Sequence, residues 1–209
     1  MPQKEILRQA MSQVIPIADD EWAAIAPFIL SKTLKKRENL LREGQVCREI
    51  CFVMHGSLRQ YHLIDGEEKS TFFYFEHQFA CNYESVLSGE PSDVTIEALE
   101  DCTLLYFDKD ILPRLYRLYP KFEAFGRLIA ETVYRCAMER LKTFLLNSPE
   151  QRYRNFLQHA DSQLIMERIP QHYIASYLGI TPVSLSRIRA RQRTEMKYPM
   201  SNKEYPISK

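Results

Sequence analysis

The spacing of apolar residues changes along the chain. In residues 3–13 and 19–30 it is helical: Trp22, Ile25, Ala26 and Ile29 share a face, and Asp19 or Asp20 can cap the second run. These stretches are expected to be short amphipathic packing helices. From about Leu34 to Asp108 the runs become short and rich in β-branched and aromatic residues: ICFVM (50–54), SLRQYHLI (57–64), STFFYF (70–75), VTIEAL (94–99) and TLLYF (103–107). Gly44, Gly56, Asp65-Gly66 and Ser88-Gly89 punctuate them. Many short strands with no long helices between them predict an antiparallel sandwich or barrel rather than a parallel sheet.

After Pro113 the helical pattern returns, and it runs from Pro120 to Asn147. Phe122, Phe125, Ile129, Thr132 or Val133, Cys136 or Ala137, Leu141 and Phe144 form a seam about 39 Å long at ~1.5 Å per residue. A helix of that length, apolar on more than one face, needs both its own domain and a partner to cover it. It is read as a dimerisation helix, the alternative being a core helix packed within one chain. Asn147-Ser148-Pro149 breaks it, and Ser148 with Gln151 predicts a capping box opening a helix to about Ala160. A domain boundary is therefore expected near Asn147. LIMERI (164–169) reads as a short strand.

The stretch from Ile169 to Gln192, IPQHYIASYLGITPVSLSRIRARQ, has the spacing of a helix-turn-helix. Ile174 and Ala175 fall inside a first helix, Ala175 being small where two helices cross. Gly179 can take the positive φ that ends that helix. Thr181 and Pro182 supply an N-cap and a pre-set first residue for the second helix. Leu185 and Ile188, at i and i+3, form its buried stripe. At about 100° per residue the opposite face carries Val183, Ser186, Arg187, Ala190 and Arg191, with Arg189 on the flank. Such a face fits a major groove. A plain helical hairpin with a solvated face is the alternative, but it does not explain why small residue, glycine, cap and basic face coincide.

Charge sharpens this picture. Residues 147–209 hold 10 Lys+Arg against 5 Asp+Glu, whereas residues 1–146 hold 18 against 22. A basic end on an acidic body suits a localised nucleic-acid footprint. The five cysteines, Cys47, Cys51, Cys81, Cys102 and Cys136, are odd in number and set among apolar residues, as expected of free thiols in a soluble cytoplasmic protein. No apolar run suggests a signal peptide or a membrane span. Cys47 and Cys51 are the only close pair, and on a strand they would stand about 13 Å apart, so an iron-sulfur site is not expected. The histidines form no HxH or HxxxH pair, and His77 reads as a solvated turn residue. No phosphate loop, nucleophile elbow or cupin-like metal set appears. No catalysis, metal or cofactor is expected.

The order of these parts resembles the cAMP receptor protein and FNR (Crp/Fnr) superfamily of bacterial transcription regulators. The resemblance rests on LREGQV (41–46), FVMHGSLRQYHL, YESVLSGEPSDVTIEALEDCTLLYFDK, the long helix, and the helix-turn-helix with Ser186-Arg187. The wording YIASYLGITP…LSRIR is similar to a Bacteroidetes-type branch. It implies an α+β fold: an N-terminal antiparallel β-roll of the cyclic-nucleotide-binding jelly-roll type with flanking helices (1–119), a dimerisation helix (120–147) and a helix-turn-helix domain (148–209). It further implies a homodimer bound to double-stranded DNA, and leaves a contact with RNA polymerase open.

The departures from the family are specific. Cyclic-nucleotide-binding members use a Gly-Glu-Leu segment for the ribose and Arg-Ser-Ala for the cyclic phosphate. Here Cys81-Asn82-Tyr83 and Ser92-Asp93-Val94 stand at those places. Without the arginine, and with an aspartate beside the site, a phosphodiester loses a charge-assisted bond and meets a like charge. cAMP and cGMP are therefore not expected to bind. Asn82, Tyr83, Glu84, Ser85, Ser92 and Asp93 remain candidates for a pocket taking another small effector, and a fixed scaffold is the equal alternative. A cyclic-nucleotide module acting through a protein partner is disfavoured by Ser92 and by the terminal motif.

In the helix-turn-helix, Arg187 can fork to guanine O6 and N7, and Ser186 can bond a base edge or phosphate. Arg189, Arg191 and Arg193 are expected on phosphates. Gln171, Thr181 and the backbone at the second helix's start can also hold phosphate oxygens. Where many relatives carry a cytosine-reading glutamate this chain has Val183, which can touch a thymine methyl. The tail after Arg193, TEMKYPMSNKEYPISK, has no clear version of the strand pair of winged relatives and is expected to be partly disordered.

Overall fold

A computed structural model describes residues 2–197, with side chains described for residues 3–192. Of the tail after Arg193, residues 194–197 continue a helix, while residues 198–209 and the Arg193 side chain, expected on a phosphate, lie outside the described residues. The chain divides into two compact units, Met1–Lys142 and Thr143–Lys209.

The first unit opens with α1 (Pro2–Ser12) and α2 (Asp19–Ile25). The second helix is shorter than its apolar spacing suggests. Pro27, which lacks an N–H, turns the chain into a 3-10 turn (Ala26–Phe28), and Leu30 already belongs to a strand. Eight strands follow: β1 (Leu30–Leu34), β2 (Asn39–Leu41), β3 (Glu49–His55), β4 (Leu58–Ile64), β5 (Glu67–Tyr74), β6 (Phe79–Ala80), β7 (Thr95–Ala98) and β8 (Cys102–Asp108). They form two four-stranded antiparallel sheets, ordered β1-β8-β3-β6 and β2-β7-β4-β5. This is the expected roll.

Between the sheets lie Cys51 and Val53 of β3, Leu58 of β4, Ile96 and Ala98 of β7, and Leu104 of β8. The alternate residues Phe52 and Leu105 face outward and are covered by Leu7, Met11, Ile25, Leu115 and Phe122. The two central strands of this sheet are therefore buried on both faces. That double burial is why ICFVM and TLLYF read as unbroken apolar runs rather than alternating ones. β1, β2 and β6 carry no such signal, because they are short or partly exposed.

A short α3 (Tyr83–Ser88) interrupts the strands, and α4 (Leu112–Leu118) follows them. The long helix α5 spans Lys121–Leu146, and its last residues belong to the second unit. That unit continues with α6 (Pro149–Gln158), α7 (Ser162–Arg168), α8 (Gln171–Tyr177) and α9 (Pro182–Lys197). The capping box before α6 is formed: Ser148 Oγ accepts from the Gln151 N–H, and Gln151 Oε1 accepts from the Ser148 N–H. LIMERI is not a strand but most of α7. Leu, Met, Glu and Arg are good helix formers, and Ile165 and Ile169 are buried four residues apart. Among the described residues no helix is long and apolar enough to cross a membrane.

Candidate nucleic-acid interface

The bend of the helix-turn-helix is held by backbone and side chain together. α8 ends at Leu178, and Gly179 takes φ +64°. The Ile180 N–H donates to the Ala175 carbonyl and the Gly179 N–H to that of Ser176, a Schellman closure that uses the last free carbonyls. A Cβ at Gly179 would sit 2.6 Å from Phe144 Cε1. Arg152 donates from Nη2 to the Gly179 carbonyl at 3.2 Å while lying over the Phe144 ring. The end of α5 is thus part of the seat of the turn. Thr181 Oγ1 accepts from the Ser184 N–H at 3.1 Å, capping α9 as its sequence indicates. The same hydroxyl donates to Ser184 Oγ, so it is already engaged locally. Ile174, Ala175, Leu178, Leu185 and Ile188 are buried as the apolar face.

The other face of α9 is presented to solvent. Val183, Ser186, Arg187, Ala190 and Arg191 are exposed, and Arg189 is half-buried on the flank. Gln171 and Thr181 are exposed at the starts of α8 and the α9 cap. Arg187 makes no hydrogen bond or ion pair among the described residues, whereas Arg191 reaches Glu150 at 3.4 Å. From Arg168 through Thr194 the sequence contains no aspartate or glutamate and five arginines. Val183, Ser186, Arg187, Ala190 and Arg191 thus give the first turns of a capped helix a donor-rich face with no acid of its own, Glu150 of α6 standing beside Arg191.

In the roll, the six candidate effector residues come together only in part. Asn82 is the N-cap of α3, its Oδ1 accepting from the Glu84 and Ser85 N–H groups. Its Nδ2 donates to Ser92 Oγ at 2.8 Å and to Asp93 Oδ1 at 3.3 Å. Ser92 Oγ also donates to the Val94 carbonyl and accepts from its N–H, and Ser85 Oγ donates to the Glu90 carbonyl. Asn82, Ser85 and Ser92 are buried; Glu84 is exposed, and Asp93 is exposed with His62 beside it. The cassette is closed by its own side chains. Sequence reasoning missed Arg59, buried on β4, where Nη2 bonds Glu68 at 2.6 Å and Glu97 at 3.0 Å over the Tyr61 ring. That buried cation is held by two carboxylates. Cys47, Cys51 and Cys102 are buried, Cys81 is half-buried and Cys136 is exposed.

Residues 31–119 match the family model of the cyclic nucleotide-binding domain. Similar solved structures include FixK2 from Bradyrhizobium japonicum, at 19% identity over 80% of this chain and 86% of that one, TM-score 0.69. A CooA mutant from Carboxydothermus hydrogenoformans is 17% identical over 82% and 79%, TM-score 0.65. The chain shares the fold of these two proteins. A third structure, the Catabolite Activator Protein of Thermus thermophilus, is 19% identical over 87% and 86%, TM-score 0.53. No curated protein matches the chain in sequence.

The predicted seam of α5 separates into parts. Phe122 is buried in its own unit, and Phe125 packs half-buried against Phe79, their ring centroids 6.3 Å apart. Ile129 is half-buried. Val133, Cys136 and Leu141 are exposed, and Phe144 is partly taken up by Gly179 and Arg152. Tyr134, Leu145 and Leu146 add exposed apolar surface that the sequence seam did not include.

Proposed function

We propose that the chain is a homodimeric, sequence-specific DNA-binding transcription regulator that lays α9 in the major groove. The observation that carries this reading is the acid-free face of Val183, Ser186, Arg187, Ala190 and Arg191 on a helix capped by Thr181. Arg187, with no competing partner among the described residues, forks to guanine O6 and N7, and Ser186 bonds a neighbouring edge or phosphate. Arg189, Arg191 and Gln171 take phosphates and supply affinity without sequence information. The exposed stretch of α5 around Val133, Cys136 and Leu141 pairs two chains, so that two recognition helices meet two half-sites. The role is binding rather than catalysis.

The roll holds no cyclic nucleotide in this reading. Asn82 bridges Ser92 and Asp93 where a cyclic phosphate would need a cation, and Arg59 is committed to Glu68 and Glu97.

Fluorescence polarisation with a specific and a random duplex tests the DNA assignment. Arg187→Ala is expected to cost about 1 to 3 kcal/mol on the specific duplex and to relax specificity. Arg191→Ala is expected to weaken both duplexes alike and flatten the salt slope. Equal losses on both duplexes for Arg187→Ala contradict its role in base reading.

A further inference from the structure

The exposed face of α9 offers two guanidinium groups, a hydroxyl and two methyl-bearing side chains, with no carboxylate. Val183 is 60% exposed in the first turn, one turn before Arg187. In the major groove cytosine and adenine are marked by amino groups, which call for an acceptor. Guanine is marked by two acceptors and thymine by an acceptor and the C5 methyl. The guanidiniums and methyl-bearing side chains are therefore matched to guanine and thymine, while the hydroxyl suits either kind of edge. At i and i+4 the Cβ atoms of Val183 and Arg187 stand about 5–6 Å apart. That is about two steps of the duplex at ~3.4 Å per base pair.

We infer that Val183 is a specificity-determining residue, packing on the C5 methyl of a thymine within about two base pairs of the guanine bonded by Arg187. Each half-site is then read through one hydrogen-bonded fork and one apolar contact. The inference rests on α9 entering the major groove. Because Val183 is 60% exposed and lies off the buried stripe of Leu185 and Ile188, Val183→Ala is expected to leave the fold intact, which circular dichroism can verify.

The test uses the duplex that the full chain enriches from a random library. Each thymine within three base pairs of the protected guanine is replaced in turn by deoxyuridine, which removes only the methyl. One replacement is expected to weaken the unmodified protein about fourfold, the worth of one buried methyl-sized group, and to leave Val183→Ala unaffected. Substitution of 7-deazaguanine at the guanine is expected to weaken the unmodified protein and Val183→Ala but not Arg187→Ala. If every deoxyuridine is neutral while 7-deazaguanine still weakens binding, the thymine contact is overturned and the DNA reading stands. The contact is equally overturned if Val183→Ala keeps the full deoxyuridine loss. If no duplex is enriched at all, the DNA reading itself falls and the contact with it.

Discussion

The buried thiols of the roll show what single residues do in this fold. Burial pushes the Cys51 thiol up to about 12 and that of Cys102 to about 11, and raises Cys47 and Cys81 as well. Below the ordinary value of 9.0 both folded and unfolded chains hold these protons. Above it the unfolded chain gives them up first, so stability is expected to fall as pH rises from about 9 towards 12. Native protein treated with iodoacetamide at pH 8 should leave Cys47, Cys51, Cys81 and Cys102 unmodified by mass spectrometry, and alkylate all four in urea. Rapid native alkylation of Cys51 contradicts its burial. At this scale the sequence was legible where a residue acts through its own helix: Val183, Ser186, Arg187, Ala190 and Arg191 face outward as their spacing demands. It was not legible where a partner lies far along the chain. Asn82, a candidate pocket residue, caps α3 and bonds Ser92, a contact that no local period announces. Arg59 carries no local signal of its burial, because the carboxylates that hold it, Glu68 and Glu97, come from other strands.

Among the elements, the turn between α8 and α9 is tightly constrained. Gly179 combines φ +64° with a Cβ position 2.6 Å from Phe144, so Gly179→Ala strains the backbone and collides with a ring. It is expected to destabilise the second unit by more than about 1 kcal/mol, measured by urea unfolding followed by circular dichroism. Replacing Phe144 as well with Leu should recover part of the loss if the collision contributes. Wild-type stability for Gly179→Ala contradicts the turn geometry. The exposed Val133, Cys136 and Leu141 make a second prediction: Leu141→Glu places charge in the proposed seam and should convert dimers to monomers in sedimentation velocity, with the fold retained. Helix-turn-helix, long helix and strand pairs were readable because each carries a local period or cap. LIMERI fits a strand or a helix alike because its two isoleucines, four apart, share a face in either period; the structure buries Ile165 and Ile169 on a helix.

At the scale of the whole molecule, charge is divided: the net +1 joins an excess of basic residues after position 146 to an excess of acidic residues before it. Only the basic part is expected to set the salt dependence of DNA binding. Residues 31–119 match the cyclic nucleotide-binding domain model, and within them Asn82 is bonded to Ser92 and Asp93, which in the proposed reading leaves no cation for a cyclic phosphate. Isothermal titration is accordingly expected to show no saturable heat with cAMP in the low-micromolar range, and tight binding there contradicts the closed cassette. The architecture itself was legible because the order of helices, roll, long helix and helix-turn-helix survives at 17–19% identity to the compared structures.

The central claim is most directly tested by selecting a random duplex library with the purified full chain, with no effector added, at about physiological salt. Enrichment of an inverted repeat with half-sites about one helical turn apart is the predicted result. Retention of duplexes without any enriched sequence contradicts it.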